Sequence, residues 1–279
     1  MNLQEIIHAA LAEDIGSGDY TTLATVPATA CGKARLLVKQ DGILAGVEVA
    51  REVFAAMDAD IKMEVLIPDG QLVRTGDVAF TVEGLSRSLL TAERLVLNFM
   101  QRMSGIATVT RKYADALDGL KAKVLDTRKT TPNFRWAEKE AVRIGGGMNH
   151  RIGLYDMVLI KDNHIDFCGG ITKALENTRK YLSDNHLNLK VEIEARSLED
   201  VREILSINFA DRIMLDNFEL DKLREAVKMI GDKAETEASG GITLSNIRDY
   251  GLCGVDFVSV GALTHQIQSL DLSLKAING

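Results

Sequence analysis

From residue 123 onward the chain repeats one pattern: a short apolar run, a polar loop, then apolar residues at helical spacing. Six runs read as strand candidates: 123–127 (KVLDT), 157–161 (MVLIK), 189–194 (LKVEIE), 212–216 (RIMLD), 235–239 (ETEAS) and 256–261 (DFVSVG). Helical patterns at Ile171 to Leu182, Leu198 to Leu205, Leu220 to Ile230 and Leu244 to Tyr250 separate most of them. Strands joined through helices run parallel, with the helices covering the sheet. No G-x-G-x-x-G follows the first strand, so an incomplete (β/α) barrel fits better than a dinucleotide-binding fold.

The residues before this repeat differ in pattern and imply a separate α+β sandwich domain. The expected division is 1–107 for that domain and 108–264 for the barrel. Residues 2–12 show helical spacing and are followed by an acidic, glycine-rich loop at 13–19. That loop reads as a capped turn before it reads as a cation site. A strand is expected at 33–39, a short helix at 49–57, and strands with tight turns over 61–83. The turns Pro68-Asp69-Gly70 and Thr75-Gly76-Asp77 suggest a small barrel of the lipoyl-carrier sort. No lysine sits at a hairpin tip between them, so the segment reads as structural. Residues 88–103 form an apolar helix broken by one polar stripe, Arg94, Asn98, Gln101 and Arg102. The stripe is either a solvated face, a subunit contact or a ligand site. Ser104-Gly105 is expected to end this helix, with a second running through Lys112 to Leu117.

Catalytic groups in an α/β barrel project from the C-terminal ends of the strands. Here those ends carry Arg128 with Lys129, then Lys161, Glu194, Asp216, Ser239 and Gly261. Arg151 and His150 follow a run of three glycines, so four cations and one histidine gather around loops in a chain of net charge −7. With a pI near 5.4 the chain lacks the basic excess of a nucleic-acid binder, and the cations suit a small anion. Ser239-Gly240-Gly241 and Gly261 resemble the small-residue phosphate loops of late barrel strands. Glu194 and Asp216 could bind Mg²⁺, orient hydroxyls, stabilise a developing cation, or simply neutralise Lys129 or Lys161. His8 and His186 read as surface residues and His164 as a loop or capping group. Three widely spaced cysteines, no leader-like N-terminus and no membrane-length apolar run lead to an expectation of a soluble, cytoplasmic protein with no membrane partner. The residues alone thus reach a barrel enzyme for a phosphorylated, multiply anionic substrate with Mg²⁺, but no reaction.

Motifs over nearly the whole chain resemble the quinolinate phosphoribosyltransferases (nicotinate-nucleotide pyrophosphorylase, carboxylating). They are Glu13-Asp14-Ile15-Gly16 with Gly18-Asp19, Thr91-Ala92-Glu93-Arg94, Ser104-Gly105-Ile106-Ala107-Thr108, and Asp126-Thr127-Arg128-Lys129-Thr130. Gly145-Gly146-Gly147-Met148-Asn149-His150-Arg151, Lys161-Asp162-Asn163-His164 and Leu215-Asp216-Asn217 follow. Ala238-Ser239-Gly240-Gly241 and Val260-Gly261-Ala262-Leu263-Thr264-His265 complete the set. Asn133 departs from a glycine common in the family, but Asn tolerates positive φ.

The resemblance implies that quinolinate and phosphoribosyl pyrophosphate give nicotinate mononucleotide, pyrophosphate and CO₂, feeding NAD synthesis. It assigns the dicarboxylate to Arg128, His150, Arg151 and Lys161. Lys129, Glu194 and Asp216 would handle phosphoribosyl pyrophosphate and its Mg²⁺, directly or indirectly, and Ser239, Gly240, Gly241 and Gly261 its 5′-phosphate. It further implies a homodimer in which Arg94 is lent to the neighbouring subunit's site, and a C-terminal segment, 265–279, packed on the N-terminal domain. The alternatives are a molybdenum-associated relative of the same fold and a non-catalytic anion-binding protein.

Overall fold

A computed structural model describes residues 2–277. In chain order the elements are α1 (Leu3–Ile15), α2 (Tyr20–Thr25), β1 (Cys31–Val38), β2 (Gly42–Ile43), α3 (Val47–Met57), β3 (Lys62–Val65), β4 (Leu72–Val73), β5 (Val78–Leu85) and α4 (Ser86–Ala116). There follow β6 (Lys123–Leu125), α5 (Arg135–Ile144), β7 (Val158–Ile160), α6 (Asp162–Cys168), α7 (Ile171–Asp184), β8 (Val191–Ala195), α8 (Leu198–Ile207) and β9 (Arg212–Asp216). The chain closes with α9 (Leu220–Ile230), β10 (Glu235–Ser239), α10 (Ile247–Gly251), β11 (Phe257–Ser259), α11 (Ala262–His265) and β12 (Leu272–Ile277). Cα packing divides the chain into two units: Met1–Arg111 with Lys129–Gly146 and Leu263–Gly279, and Lys112–Arg128 with Gly147–Ala262.

The first unit is an α+β sandwich. Its antiparallel sheet has the order β12-β1-β5-β3, and β2 pairs separately with β4. The 61–83 segment is therefore not a small barrel of its own. Its strand β5 pairs with β1, and β3 pairs with β5, so that Phe80 and Val82 are buried with Leu36 and Val38. The Pro68-Asp69-Gly70 turn also serves α3, since Asp69 Oδ1 accepts from Val47 N–H at 2.9 Å. Phe54 of α3 meets Phe80 edge-on at 6.2 Å between ring centres. The acidic loop at 13–19 is a capped turn: Asp19 Oδ1 accepts from Thr22 N–H at 3.0 Å and starts α2.

Ser104-Gly105 does not end a helix, because α4 runs unbroken for 31 residues. Ser104 is fully buried, and its Oγ accepts from Ala45 N–H at 2.9 Å and donates to Ala45 O at 3.1 Å. A Cβ on Gly105 would lie 2.2 Å from Gln268 O. Both residues are small to let other backbone approach the helix, not to stop it. Among the described residues, no helix is long and apolar enough to cross a membrane.

The second unit holds six parallel strands in the order β6-β11-β10-β9-β8-β7. Strands β6 and β7 lie at opposite edges of this order, giving an incomplete α/β barrel. A single bridge from Leu125 to Met148 extends the β6 edge. Register puts Glu192 opposite Arg212, Glu194 opposite Met214, Glu237 opposite Met214, and Ser239 opposite Asp216. With a side-chain period of two, Glu192, Glu194, Arg212, Asp216, Glu237 and Ser239 share one face of the sheet.

Candidate active site

Each strand of the second unit delivers the expected groups at its C-terminal end. Asp126-Thr127-Arg128 follows β6, Lys161 follows β7, Glu194 is the last residue but one of β8, Asp216 ends β9, Ser239 ends β10, and Gly261 lies two residues beyond the end of β11. Lys129 directly follows Arg128 in sequence but belongs to the first unit. There Thr264 Oγ1 donates to Lys129 O at 2.7 Å, fixing its backbone.

Arg128 and Arg151 are close enough to repel. Burial, and then the charge of Arg128, hold the Arg151 guanidinium below its usual range. Arg128 Nε is buried without a hydrogen-bond partner among the described residues. A buried guanidinium N–H left over beside a second guanidinium is a place for an anion. The backbone that carries Arg151 is fixed, because His150 N–H donates to Asp126 Oδ1 at 2.8 Å and Arg151 N–H donates to His150 Nδ1 at 2.7 Å. Asn133, in the first unit, takes φ 62°, the left-handed conformation that its residue type permits.

Lys161 Nζ lies 3.6 Å from Glu194 Oε2. Burial raises the Glu194 pKa; Lys161 opposes this, and the charges of Asp216 and Asp162 add to it. Lys161 thus neutralises Glu194 in part, while two carboxylates at adjacent strand ends still favour a further positive group. Oxygen donors of this kind suit a hard cation such as Mg²⁺. His164 caps α6, its Nδ1 accepting from Lys161 N–H at 2.9 Å. His8 and His186 are exposed.

Gly240 and Gly241 both take positive φ, 96° and 62°. A Cβ at Gly240 would lie 2.2 Å from Asn217 Oδ1, and Asn217 N–H donates to Ser239 O at 2.8 Å. The loop therefore needs glycine both for its conformation and for the packing of Asn217. The helix expected from Leu244 begins only at Ile247, because Thr243 and Asn246 first close a turn. Gly261 by contrast leads directly into α11.

One cluster escaped the sequence reading. Glu192 and Glu237 are fully buried, and His150 Nε2 lies 2.9 Å from Glu192 Oε2 and 3.4 Å from Glu237 Oε2. Arg212 Nη1 is 3.3 Å from Glu237, while Nη2 is 3.0 Å from Glu235 and the guanidinium stacks on Phe257 at 4.1 Å. Burial disfavours a charged His150 ring, but hydrogen bonding to Glu192 and Glu237 and their charges outweigh it, raising its pKa to about 9. Burial and then the charge of Glu237 raise Glu192 to about 7. Burial works against ionised Glu237 too, yet His150, Ser259 and Arg212 hold its pKa down. The three ligand-type atoms lie within 4.8 Å of one another, but with Arg212 present this is an ion-pair cluster and not a metal site. The signal was there: period-two charges in VEIEA and ETEAS place acids on a buried face.

The polar stripe of α4 divides. Arg102 reaches buried Glu138 at 2.8 Å and Thr264 O at 2.7 Å, and Gln101 Nε2 donates to Leu272 O at 2.9 Å. Arg94 and Asn98 stay exposed. Glu138 also accepts from Thr131 N–H and Oγ1–H at 3.1 and 2.8 Å, which orders the loop after Lys129.

Charges of both signs gathered at parallel strand ends mark an α/β barrel-type enzyme for multiply anionic small molecules. Models of the N- and C-terminal domains of quinolinate phosphoribosyl transferase match residues 19–104 and 106–275. The chain belongs to the quinolinate phosphoribosyl transferase family. It is 47% identical over 289 aligned positions to quinolinate phosphoribosyltransferase [decarboxylating] 1 of Nicotiana glauca, covering 98% of this chain and 82% of that one. It is 41% identical to the probable nicotinate-nucleotide pyrophosphorylase [carboxylating] of Bacillus subtilis, covering 98% and 93%. The crystal structure of NadC from Streptococcus pyogenes is similar at a TM-score of 0.92 and 40% identity, over 99% and 97% of the two chains.

Proposed function

We propose that the chain transfers the phosphoribosyl group of phosphoribosyl pyrophosphate to quinolinate with decarboxylation, giving nicotinate mononucleotide, pyrophosphate and CO₂ for NAD biosynthesis. Its membership of a family named for this reaction supports the assignment. The structural observation that carries it is the paired guanidinium groups of Arg128 and Arg151, with Arg128 Nε buried and unsatisfied. Two cations at one place suit a dicarboxylate better than a monocarboxylate.

Arg128, Arg151, His150 and Lys161 bind the two carboxylates and set the pyridine nitrogen toward C1 of the ribose. Ser239, Gly240, Gly241 and Gly261 hold the 5′-phosphate through backbone N–H groups. Glu194 and Asp216 would hold Mg²⁺, directly or through water, and the ion would supply positive charge to the pyrophosphate. Lys129 stabilises the departing pyrophosphate as the C1–O bond breaks, and Glu194 and Asp216 stabilise the oxocarbenium-like ribose. The nitrogen lone pair forms the new bond to C1. The quaternised ring then releases its 2-carboxylate as CO₂, because the ring cation stabilises the electron pair left at C2, which takes a proton.

We further infer a homodimer in which exposed Arg94 serves the neighbouring subunit's site, and a cytoplasmic setting, which three free cysteines favour. Calorimetric titration of quinolinate into the wild-type protein and Arg128→Ala tests the carboxylate assignment. Binding is expected in the first and not in the second, whereas equal affinity would refute Arg128 as a carboxylate ligand.

A further inference from the structure

Asp216 and Asn217 are neighbours in sequence, and in an extended strand their side chains would point to opposite faces. Asn217 instead takes φ 55°, a left-handed conformation that bends the chain as β9 ends. The bend brings its amide back to Asp216, and Nδ2 donates to Asp216 Oδ2 at 2.5 Å. An ionised carboxylate only accepts, so the NH₂ end of the amide is the end that faces Asp216. The other end, Oδ1, lies over Gly240, where a Cβ would come within 2.2 Å of it. Asn217 N–H donates to Ser239 O at 2.8 Å, beside the register position that pairs Ser239 with Asp216. One residue therefore touches both the carboxylate that ends β9 and the Ser239-Gly240 loop that ends β10.

We propose that Asn217 is a positioning residue that fixes the Asp216 carboxylate relative to the Ser239-Gly240-Gly241 loop, so that the ribose and the 5′-phosphate meet their partners at one set separation. This rests on the reading of Asp216 and that loop as the phosphoribosyl pyrophosphate site. Asn217 is exposed, so its side chain fills no core. Its residue type answers to two demands at once. The left-handed bend favours Gly, Asn or Asp, and of these only Asn carries an NH₂ donor. Glycine would keep the bend and lose the donor, and aspartate would set a second negative charge against Asp216. Without the amide the Asp216 carboxylate turns freely, and ordering it opposes each binding event.

The test uses the full chain with Asn217→Gly, Asp216→Ala and the double variant, each checked for folding by thermal unfolding. Asn217→Gly tolerates the left-handed backbone and its bond to Ser239 O, and removes the amide. It should lower kcat/KM for phosphoribosyl pyrophosphate about tenfold, with KM for quinolinate within about twofold of the wild type. In the Asp216→Ala background the same change should cost less than about twofold, because no carboxylate is left to hold. A readout without turnover uses ¹⁵N-labelled asparagine in the protein free of substrate and metal. There the Asn217 amide proton that faces Asp216 should resonate downfield of the range of exposed asparagines, and Asp216→Ala should return it to that range. A wild-type signal already within that range overturns the inference, as does wild-type kcat/KM in Asn217→Gly. A tenfold loss that persists beside Asp216→Ala also overturns it, since Asn217 would then act on the substrate itself. Wild-type kinetics in Asp216→Ala would remove the underlying reading of Asp216, and this inference with it.

Discussion

Arg128 and Gly240 each answer to one atom. Arg128 keeps Nε buried and unsatisfied beside Arg151, so the fork of donors, and not charge alone, is what a carboxylate would meet. Arg128→Lys keeps the charge and loses the fork. It should raise KM for quinolinate by about 100-fold, the loss of roughly one bidentate charged pair, with little change in melting temperature. Steady-state kinetics varying each substrate in turn would show this, and a change below about threefold would remove Arg128 from the site. At Gly240, with φ 96° and Asn217 Oδ1 2.2 Å from a would-be Cβ, alanine meets both strain and a clash. Gly240→Ala should weaken phosphoribosyl pyrophosphate by about tenfold while leaving quinolinate affinity near the wild-type value, measured as separate KM values. On the acid side, the role proposed for Glu194 opposite the ribose requires its ionised form. Its raised pKa means that activity falls, as pH drops, at a higher pH than an ordinary glutamate would set.

At the scale of elements, α4 gives the sharpest case. Helix propensity alone predicts that Gly105→Ala stabilises the helix by about 1 kcal/mol. The approach of Gln268 O reverses the sign, because a Cβ at 2.2 Å must push backbone aside. The variant should lose about 1–3 kcal/mol in urea unfolding. A gain in stability would mean that the 268–270 segment gives way easily. The same position explains why the sequence misled. Serine and glycine are local stop signals, whereas the partners of Ser104 and Gly105, Ala45 and Gln268, are far along the chain. By contrast, β9 and β10 and the helix α9 were legible to the residue, since period-two burial and capped apolar spacing are local properties. Strand-end groups could be read because a parallel barrel puts all C-terminal ends on one side. The inward acids Glu192 and Glu237 are less legible because they lie before the strand ends, where only period-two alternation within an otherwise buried strand marks them.

At the scale of the whole molecule, the proposed homodimer, in which exposed Arg94 serves the neighbouring subunit, can be tested by mixing. Arg94→Ala and Arg128→Ala should each be nearly inactive alone. Mixed after dissociation and reassembly, they should regain roughly a quarter of wild-type activity, because half the dimers are mixed and each has one intact site of two. Activity measured against mixing ratio decides this. No recovery, with mixed dimers present, would place Arg94 in the site of its own subunit, and an Arg94→Ala protein active by itself would place it in none.

The central claim is the reaction itself. Purified protein, quinolinate, phosphoribosyl pyrophosphate and Mg²⁺ would be followed for nicotinate mononucleotide and CO₂ together, with nicotinate replacing quinolinate in a parallel reaction. Equal amounts of the two products from quinolinate, and none from nicotinate, are expected. A folded, dimeric protein that turns over nicotinate equally well, or neither acid, would contradict the assignment of Arg128, Arg151 and Lys161 to a dicarboxylate.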